Sequence, residues 1–179
     1  MKISSSIFVL LILTFCGCKA IDELTHFDID YNYTFTLPAI GGAVNLDNLD
    51  IKSNDVENST ESTFQNNDTR KDLVERATLK KFNVTILEPL DANFSFLNKV
   101  EIFIETDELE EKLIAWKDNI SVNDGNHLEL ETTSNDLKKY LTSDAIRVRL
   151  KTTSSEPLTE DLLLDLRSTV EVDAKILGI

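Results

Sequence analysis

The strongest constraint on the fold is an unbroken alternation of apolar and polar residues over positions 26–37. The apolar residues occupy the odd positions, namely Phe27, Ile29, Tyr31, Tyr33, Phe35 and Leu37. Successive side chains of a β-strand point to opposite faces, so this period of two is typical of a half-buried strand. Pro38 marks its end. The pattern therefore predicts one long amphipathic strand near the start of the fold.

A second alternation lies near the C-terminus. Its apolar positions are Leu164, Leu166, Val170, Val172, Ala174 and Ile176, with Ser168 interrupting the series. Shorter apolar runs between the two ends, at 82–86, 100–104, 113–116, 128–130 and 146–150, predict further strands, and residues 123–126 carry a strong turn signal. Helical spacing appears only at 70–78 and at 136–141, the latter capped by Ser134 or Asn135.

These elements predict an all-β fold. The expected architecture is an antiparallel, immunoglobulin-like β-sandwich of about seven or eight strands with one or two short connecting helices, and a closed barrel is the alternative. Residues 53–67 are almost entirely polar and predict a loop. No second domain is needed, so residues 27–179 are expected to form one sandwich domain.

Three aromatic residues of the first predicted strand, Tyr31, Tyr33 and Phe35, share one face. Such a row could line a ligand groove, but aromatic rings more often fill the core of a sandwich because they bury the most area. The core interpretation is preferred here, and the burial of the three rings decides between the two.

The N-terminus resembles a bacterial lipoprotein signal. Lys2 precedes an apolar run at 7–15, and Gly17 stands directly before Cys18. The run is too short to span a bilayer, which takes about 20 residues, but it fits a signal peptide. Residues 1–17 are therefore expected to be removed, Cys18 to carry lipid, and residues 18–26 to form a tether.

Two alternatives to Cys18 remain open. Cys16 has Leu13 at the spacing that lipoprotein signals prefer, but bulky Phe15 would adjoin the cut. An ordinary secretory signal cut after Ala20 would discard both cysteines. Cleavage before Cys18 leaves one acylated cysteine, and from that no disulfide, zinc site or thiol nucleophile can be built.

Charge excludes one class of partner. The chain has 32 acidic and 18 basic residues, a net charge of −14. Phosphate backbones are bound chiefly by Lys and Arg, so nucleic acid is not an expected partner. The simplest interpretation of the acidity is that net negative charge keeps an exported domain soluble.

The residues supply no recognisable catalytic signature. The two histidines, His26 and His127, stand at predicted strand starts about a hundred residues apart with no nucleophile motif nearby. Carboxylates are too abundant to single out a pair, and the acidic runs at 108–111 and 160–161 read as solvated surface. We therefore expect no catalytic residue and no cofactor.

Oxygen ligands for calcium occur at Asp47, at Asp50 and in the 118–126 loop, but none has the spacing of a calcium-binding loop. No metal site is therefore expected. Six sequons, at Asn32, Asn58, Asn67, Asn83, Asn93 and Asn119, are attributed to composition, because two of these residues fall inside predicted strands.

From position 68 onward the order of segments resembles lipoproteins of the Bacteroidota, flavobacterial ones in particular, for which no activity is assigned. The similar stretches are 67–74, 91–97, 100–104, 114–116 and 136–141. The resemblance implies a lipid-anchored protein of the cell envelope, with the outer membrane as its expected site and the face undetermined. Asp22 and Glu23, soon after Cys18, resemble a surface-export signal.

Three functions are weighed. The leading hypothesis is an anchored sandwich with a non-catalytic binding or structural role, facing an envelope protein or glycan. The alternatives are a carrier that holds an apolar ligand between its sheets, which needs an apolar cavity, and a glycan hydrolase with paired carboxylates, which needs two acids in a cleft.

Overall fold

The structure is a computed structural model, and it describes residues 25–39, 49–52, 56–57, 60–154 and 156–175. The predicted signal segment 1–17 with Cys16, the predicted lipid site Cys18, and nearly all of the predicted tether lie outside the described residues. So do Asp47, Asn58 and Ile176, and for Asp50 only the backbone is described.

The described residues form ten strands and two short α-helices. The strands are β1 (His26–Leu37), β2 (Leu49–Lys52), β3 (Val56–Glu57), β4 (Val74–Glu88), β5 (Leu97–Glu105), β6 (Lys112–Asp118), β7 (His127–Glu129), β8 (Glu131–Thr132), β9 (Ala145–Ser154) and β10 (Leu162–Ala174). The helices are α1 (Thr60–Asn66) and α2 (Lys138–Leu141). Short 3₁₀ turns occupy Lys71–Leu73, Phe94–Phe96 and Val122–Asp124. No helix of the described chain is long and apolar enough to cross a membrane.

The strands make two antiparallel sheets around one hydrophobic core. The first sheet has the order β1-β10-β4-β7, and the second has the order β2-β9-β5-β6-β8, with β3 also paired to β9. The predicted antiparallel β-sandwich is confirmed. The strand count exceeds the expected seven or eight because β3 and β8, two residues each, are too short to leave a periodic pattern.

The first described strand pairs along its whole length with the last one. Register runs from His26 opposite Asp173 to Leu37 opposite Leu162. The predicted alternation of β1 is realised, since Ile29 and Leu37 are buried and the even positions are exposed. The central strand β10 then pairs with β4 on its other side.

The helix predicted at 70–78 is wrong. Only Lys71–Leu73 is helical, as one 3₁₀ turn, and β4 begins at Val74. Val74 and Ala77 are both buried although three residues apart, because Glu75 has no partner on β10 and forms a bulge between them. A bulge inserts one residue and shifts the alternation by one. It thereby places two buried residues three positions apart, which is also the spacing of a helix.

The loop predicted at 53–67 is also corrected. β3 and α1 lie within it, and Phe64 of α1 is fully buried. The Phe64 ring meets the Phe27 ring edge-on, with centroids 6.2 Å apart. A single aromatic anchor therefore docks a segment whose other residues are almost all polar.

Helix α2 lies inside the predicted 136–141 segment, but neither Ser134 nor Asn135 caps it, because its N-cap residue is Leu137, which makes no side-chain capping bond. Asp136 Oδ1 accepts hydrogen bonds from the backbone N–H of Lys138 at 3.0 Å and of Ala77 at 3.1 Å. The same carboxylate thus contacts the first residue of the helix and ties it to β4. Leu137, Tyr140 and Leu141 are buried on the core side.

Replacing Phe64 by alanine tests the role of this anchor. We expect Phe64→Ala to lower the free energy of unfolding by about 3–5 kcal/mol, the usual cost of emptying a buried aromatic site. Leu90→Ala is the control, because Leu90 is 92% exposed and surface truncations change stability by about 0.5 kcal/mol or less. Urea unfolding measures both, and equal losses would show that α1 is not docked.

Candidate functional site between the two sheets

An apolar cavity of about 110 Å³ lies between the two sheets. Phe35, Phe82 and Leu166 line it from the first sheet, and Ile104 and Val148 from the second, with Leu137 and Leu141 at the α2 end. Among the described side chains that line it, only Tyr31, Tyr33 and Ser168 carry a polar atom. The cavity has no charged residue in that lining.

The cavity follows from one row of residues across the first sheet. Tyr31 of β1 lies opposite Ser168 of β10, and Ser168 lies opposite Phe82 of β4. Ser168 is the residue that interrupts the apolar alternation of the last strand. Its side chain is much smaller than the Leu166 and Val170 on either side of it on the same face, so space remains between the two rings of the row.

The Tyr31 hydroxyl is buried and has no hydrogen-bond partner in the described chain. It therefore does not bond to Ser168, although the two residues are directly opposite each other. Burial raises the pKa of the Tyr31 hydroxyl far above its ordinary value, because the phenolate would lose its hydration. The group stays a neutral donor and acceptor.

The aromatic row of β1 both packs against the core and lines the cavity, so each of the two interpretations, core and ligand groove, holds in part. Tyr31 and Phe35 are partly buried and pack against the core, whereas Tyr33 is 38% exposed. All three line the cavity. Its wall is therefore built partly from rings that the preferred interpretation placed in a filled core.

The two histidines are far apart in the fold, at opposite edges of the first sheet. His26 begins β1 and lies 3.7 Å from an Asp173 carboxylate oxygen. His127 begins β7, and its Nδ1 is 2.9 Å from the Thr85 hydroxyl. No group of three or more metal-ligating side chains occurs among the residues that the structure describes.

In the loop at 118–126, the Asp124 carboxylate contacts groups of the protein itself. Asp124 accepts a hydrogen bond from the Ser121 backbone N–H at 2.9 Å and lies 3.3 Å from the Lys117 ammonium. These contacts hold the pKa of the Asp124 carboxyl below its usual range, the backbone hydrogen bond contributing most. The predicted turn follows at Gly125, whose positive φ of 62° favours glycine.

A second, polar groove runs beside Thr106–Leu109 and Lys139–Ala145. It holds three acidic residues, Asp107, Glu108 and Asp144. Asp107 is 87% exposed and lies 2.5 Å from Arg147. A glycosidase acid is instead a carboxyl held in apolar surroundings, and none of these three lines the apolar cavity.

The sequons serve ordinary structural roles where they are described. Asn32 and Asn83 lie inside β1 and β4, as predicted. Asn93 caps the 3₁₀ turn that follows it, by accepting from the Ser95 backbone N–H at 2.9 Å. Asn67 donates from its side chain to the Thr63 carbonyl at 2.9 Å.

No family model matches the chain, and no curated protein matches it. Among solved structures, a chain of turnip yellow mosaic virus is similar to this protein. The two are 11% identical in sequence, the match covers 86% of this chain and 97% of the viral one, and the TM-score is 0.31. Desmodium yellow mottle tymovirus is 13% identical, covering 86% and 91%, with a TM-score of 0.26. TM-scores this low carry no inference about fold or function.

The buried Tyr31 hydroxyl predicts a pH dependence of stability. Unfolded Tyr31 ionises near a pKa of about 10, whereas burial raises the pKa in the folded state. Below pH 10 the hydroxyl is neutral in both states, and above it the unfolded chain ionises first, so the free energy of unfolding falls as the pH rises further. We expect the free energy of unfolding to fall less steeply above pH 10 in Tyr31→Phe than in the unmodified protein, measured by urea unfolding. Tyr140, whose pKa is also raised by burial, is present in both proteins. Parallel pH profiles would contradict the prediction.

Proposed function

We propose that this domain is a non-catalytic binding module that takes a small apolar ligand into the cavity between its sheets. The observation that carries the proposal is the uncharged, mostly apolar lining of that cavity, to which both sheets contribute. Small-molecule sites are typically concave and apolar with a few polar groups that fix orientation. Tyr31, Tyr33 and Ser168 are the polar groups here.

The cavity volume limits the ligand to about one ring. An apolar cavity of about 150 Å³ in another protein stays dry and binds benzene, and 110 Å³ is somewhat smaller. At about 0.6–0.8 kcal/mol per non-hydrogen atom, between the extremes of about 0.3 and 1.5, a ligand of about seven such atoms gains about 4–5.5 kcal/mol. The expected dissociation constant is then about 0.1–1 mM for a simple aromatic probe.

A binding role is favoured over the hydrolase alternative by what the cavity contains. Paired-acid hydrolysis needs two carboxyl groups facing one substrate bond, and the described lining of the cavity contributes none. The leading hypothesis from the sequence is a non-catalytic envelope protein with an unspecified ligand. The cavity favours one form of it, in which the protein carries an apolar ligand between its sheets.

We further propose that the domain is anchored through lipid on Cys18 at the outer membrane. The support is the N-terminal signal pattern. β1 begins at His26, so the seven residues from Lys19 to Thr25 connect it to the lipidated cysteine. At about 3.3–3.6 Å per extended residue, this connection reaches no more than about 25 Å, which keeps the domain near the bilayer.

Filling the cavity tests the binding site. Ser168→Leu places an apolar side chain in the row between Tyr31 and Phe82, and we expect it to weaken toluene binding at least tenfold. Cavity-filling substitutions usually add about 0.5–2 kcal/mol to stability. Titration followed by ¹H–¹⁵N NMR measures the affinity, and urea unfolding measures the stability.

Ser168→Ala is the matched control, because it removes the hydroxyl and keeps the space. It should bind toluene about as well as the unmodified protein. Val148→Phe fills the same cavity from the second sheet and covers the case in which Ser168→Leu folds poorly. Undiminished toluene binding in both filled variants would refute the cavity as the site.

The anchor is tested by a pair of cysteine variants. We expect Cys18→Ser to abolish incorporation of an alkyne-labelled fatty acid in a bacterial host, because the acylated thiol is gone. Cys16→Ser should retain the label, since residue 16 leaves with the signal. In-gel fluorescence after click labelling gives the readout. The reverse pattern would assign the lipid to Cys16, and no label in the unmodified protein would favour a cut after Ala20.

A further inference from the structure

We propose that the Tyr31 hydroxyl is the polar recognition point of the cavity, and that the ligand is an uncharged, ring-sized apolar molecule carrying one hydrogen-bonding oxygen. Phenols, aryl alcohols and aryl ketones belong to this class. The inference rests on the proposed function, because it assigns the chemistry of a ligand to the same cavity.

The unpartnered oxygen is the first observation. Tyr31 Oη is buried and makes no hydrogen bond within the described chain. Buried polar groups in folded proteins nearly always have a partner, and leaving one unmade costs the full desolvation of that group. Tyr31 also lines the cavity, so a small rotation of its ring toward that space would let a ligand oxygen reach Oη and supply the missing hydrogen bond.

The surroundings of the hydroxyl argue against water as its regular partner. A buried water is usually held by about three hydrogen bonds. Apart from Tyr31, the described side chains that line the cavity offer only the hydroxyls of Tyr33 and Ser168, and Tyr33 is 38% exposed at the rim. A ligand held by its apolar ring needs only the one hydrogen bond to Tyr31.

The lining also decides the charge of the ligand. No described residue that lines the cavity is charged, so a carboxylate or ammonium inside it would be buried without a counter-ion, which is strongly unfavourable. A neutral tyrosine hydroxyl can both donate and accept. The ligand oxygen is therefore that of a hydroxyl, carbonyl or ether.

Toluene and phenol test the inference, because they have the same size and differ by a methyl group replaced with a hydroxyl. Both are titrated against the unmodified protein and Tyr31→Phe at pH 7, with affinities from ¹H–¹⁵N NMR. We expect the preference for phenol over toluene to fall about fivefold or more in Tyr31→Phe, the usual size of one net hydrogen bond. The phenol-to-toluene affinity ratio of the unmodified protein is divided by the same ratio of Tyr31→Phe. This comparison removes the intrinsic difference in hydrophobicity between the probes.

Tyr33→Phe is the matched control, since it removes a hydroxyl from the rim of the same cavity, and it should keep the phenol preference. Tyr31→Phe should also melt no lower than the unmodified protein without ligand, because it removes a group that has no partner. A lower melting temperature would show that the hydroxyl is bonded within the protein and would overturn the inference.

The remaining outcomes separate the two proposals. Toluene binding with a change in phenol preference below twofold would overturn the role of Tyr31 and leave the cavity as the binding site. Binding of neither probe to the unmodified protein, at concentrations up to solubility, would overturn the proposed function and this inference with it.

Discussion

The fold depends on the register between β1 and β10. The two strands stay paired from His26–Asp173 to Leu37–Leu162 without a shift. A slip of one residue would turn every apolar side chain of β1 from the core to solvent, so the hydrophobic pattern itself holds the register. Because β10 also pairs with β4, this one pairing places the N-terminal strand relative to the middle of the chain and completes the inner face of the first sheet.

The same register creates the cavity, and the cavity has an energetic cost. Aligning Tyr31, Ser168 and Phe82 in one row leaves a gap of about 110 Å³ at the serine, and the side chains that border the gap lose packing contacts there. The unpartnered Tyr31 hydroxyl adds about 1–3 kcal/mol. A leucine at 168 and a phenylalanine at 31 would remove both costs. The chain therefore gives up stability at one place between its sheets, which is the usual trade at a binding site.

How far the sequence could predict this structure depends on how local each feature is. The alternation in β1 is local, and its strand was predicted to the residue. Bulges are set by the partner strand, so the one at Glu75 gave the start of β4, from Val74 to Ala77, a spacing typical of a helix. Phe64 gave no signal because one aromatic residue in a polar segment has no period. Ser168 was visible as an interruption, but only the strand register shows that it faces Tyr31.

The proposed lipid anchor would hold the cavity close to the bilayer. Tyr31 lies five residues into β1, about 17 Å from its start, and the connection to Cys18 adds at most about 25 Å. The cavity thus stays within about 40 Å of the lipidated cysteine, a distance comparable to the thickness of a bilayer. Small apolar molecules partition into lipid because water excludes them, so their local concentration is highest there. The position does not change occupancy at equilibrium, but it shortens the path between the lipid and the cavity. A site that binds at about 0.1–1 mM also releases its ligand quickly, so the weak binding set by a small cavity is compatible with the proposed carrier role.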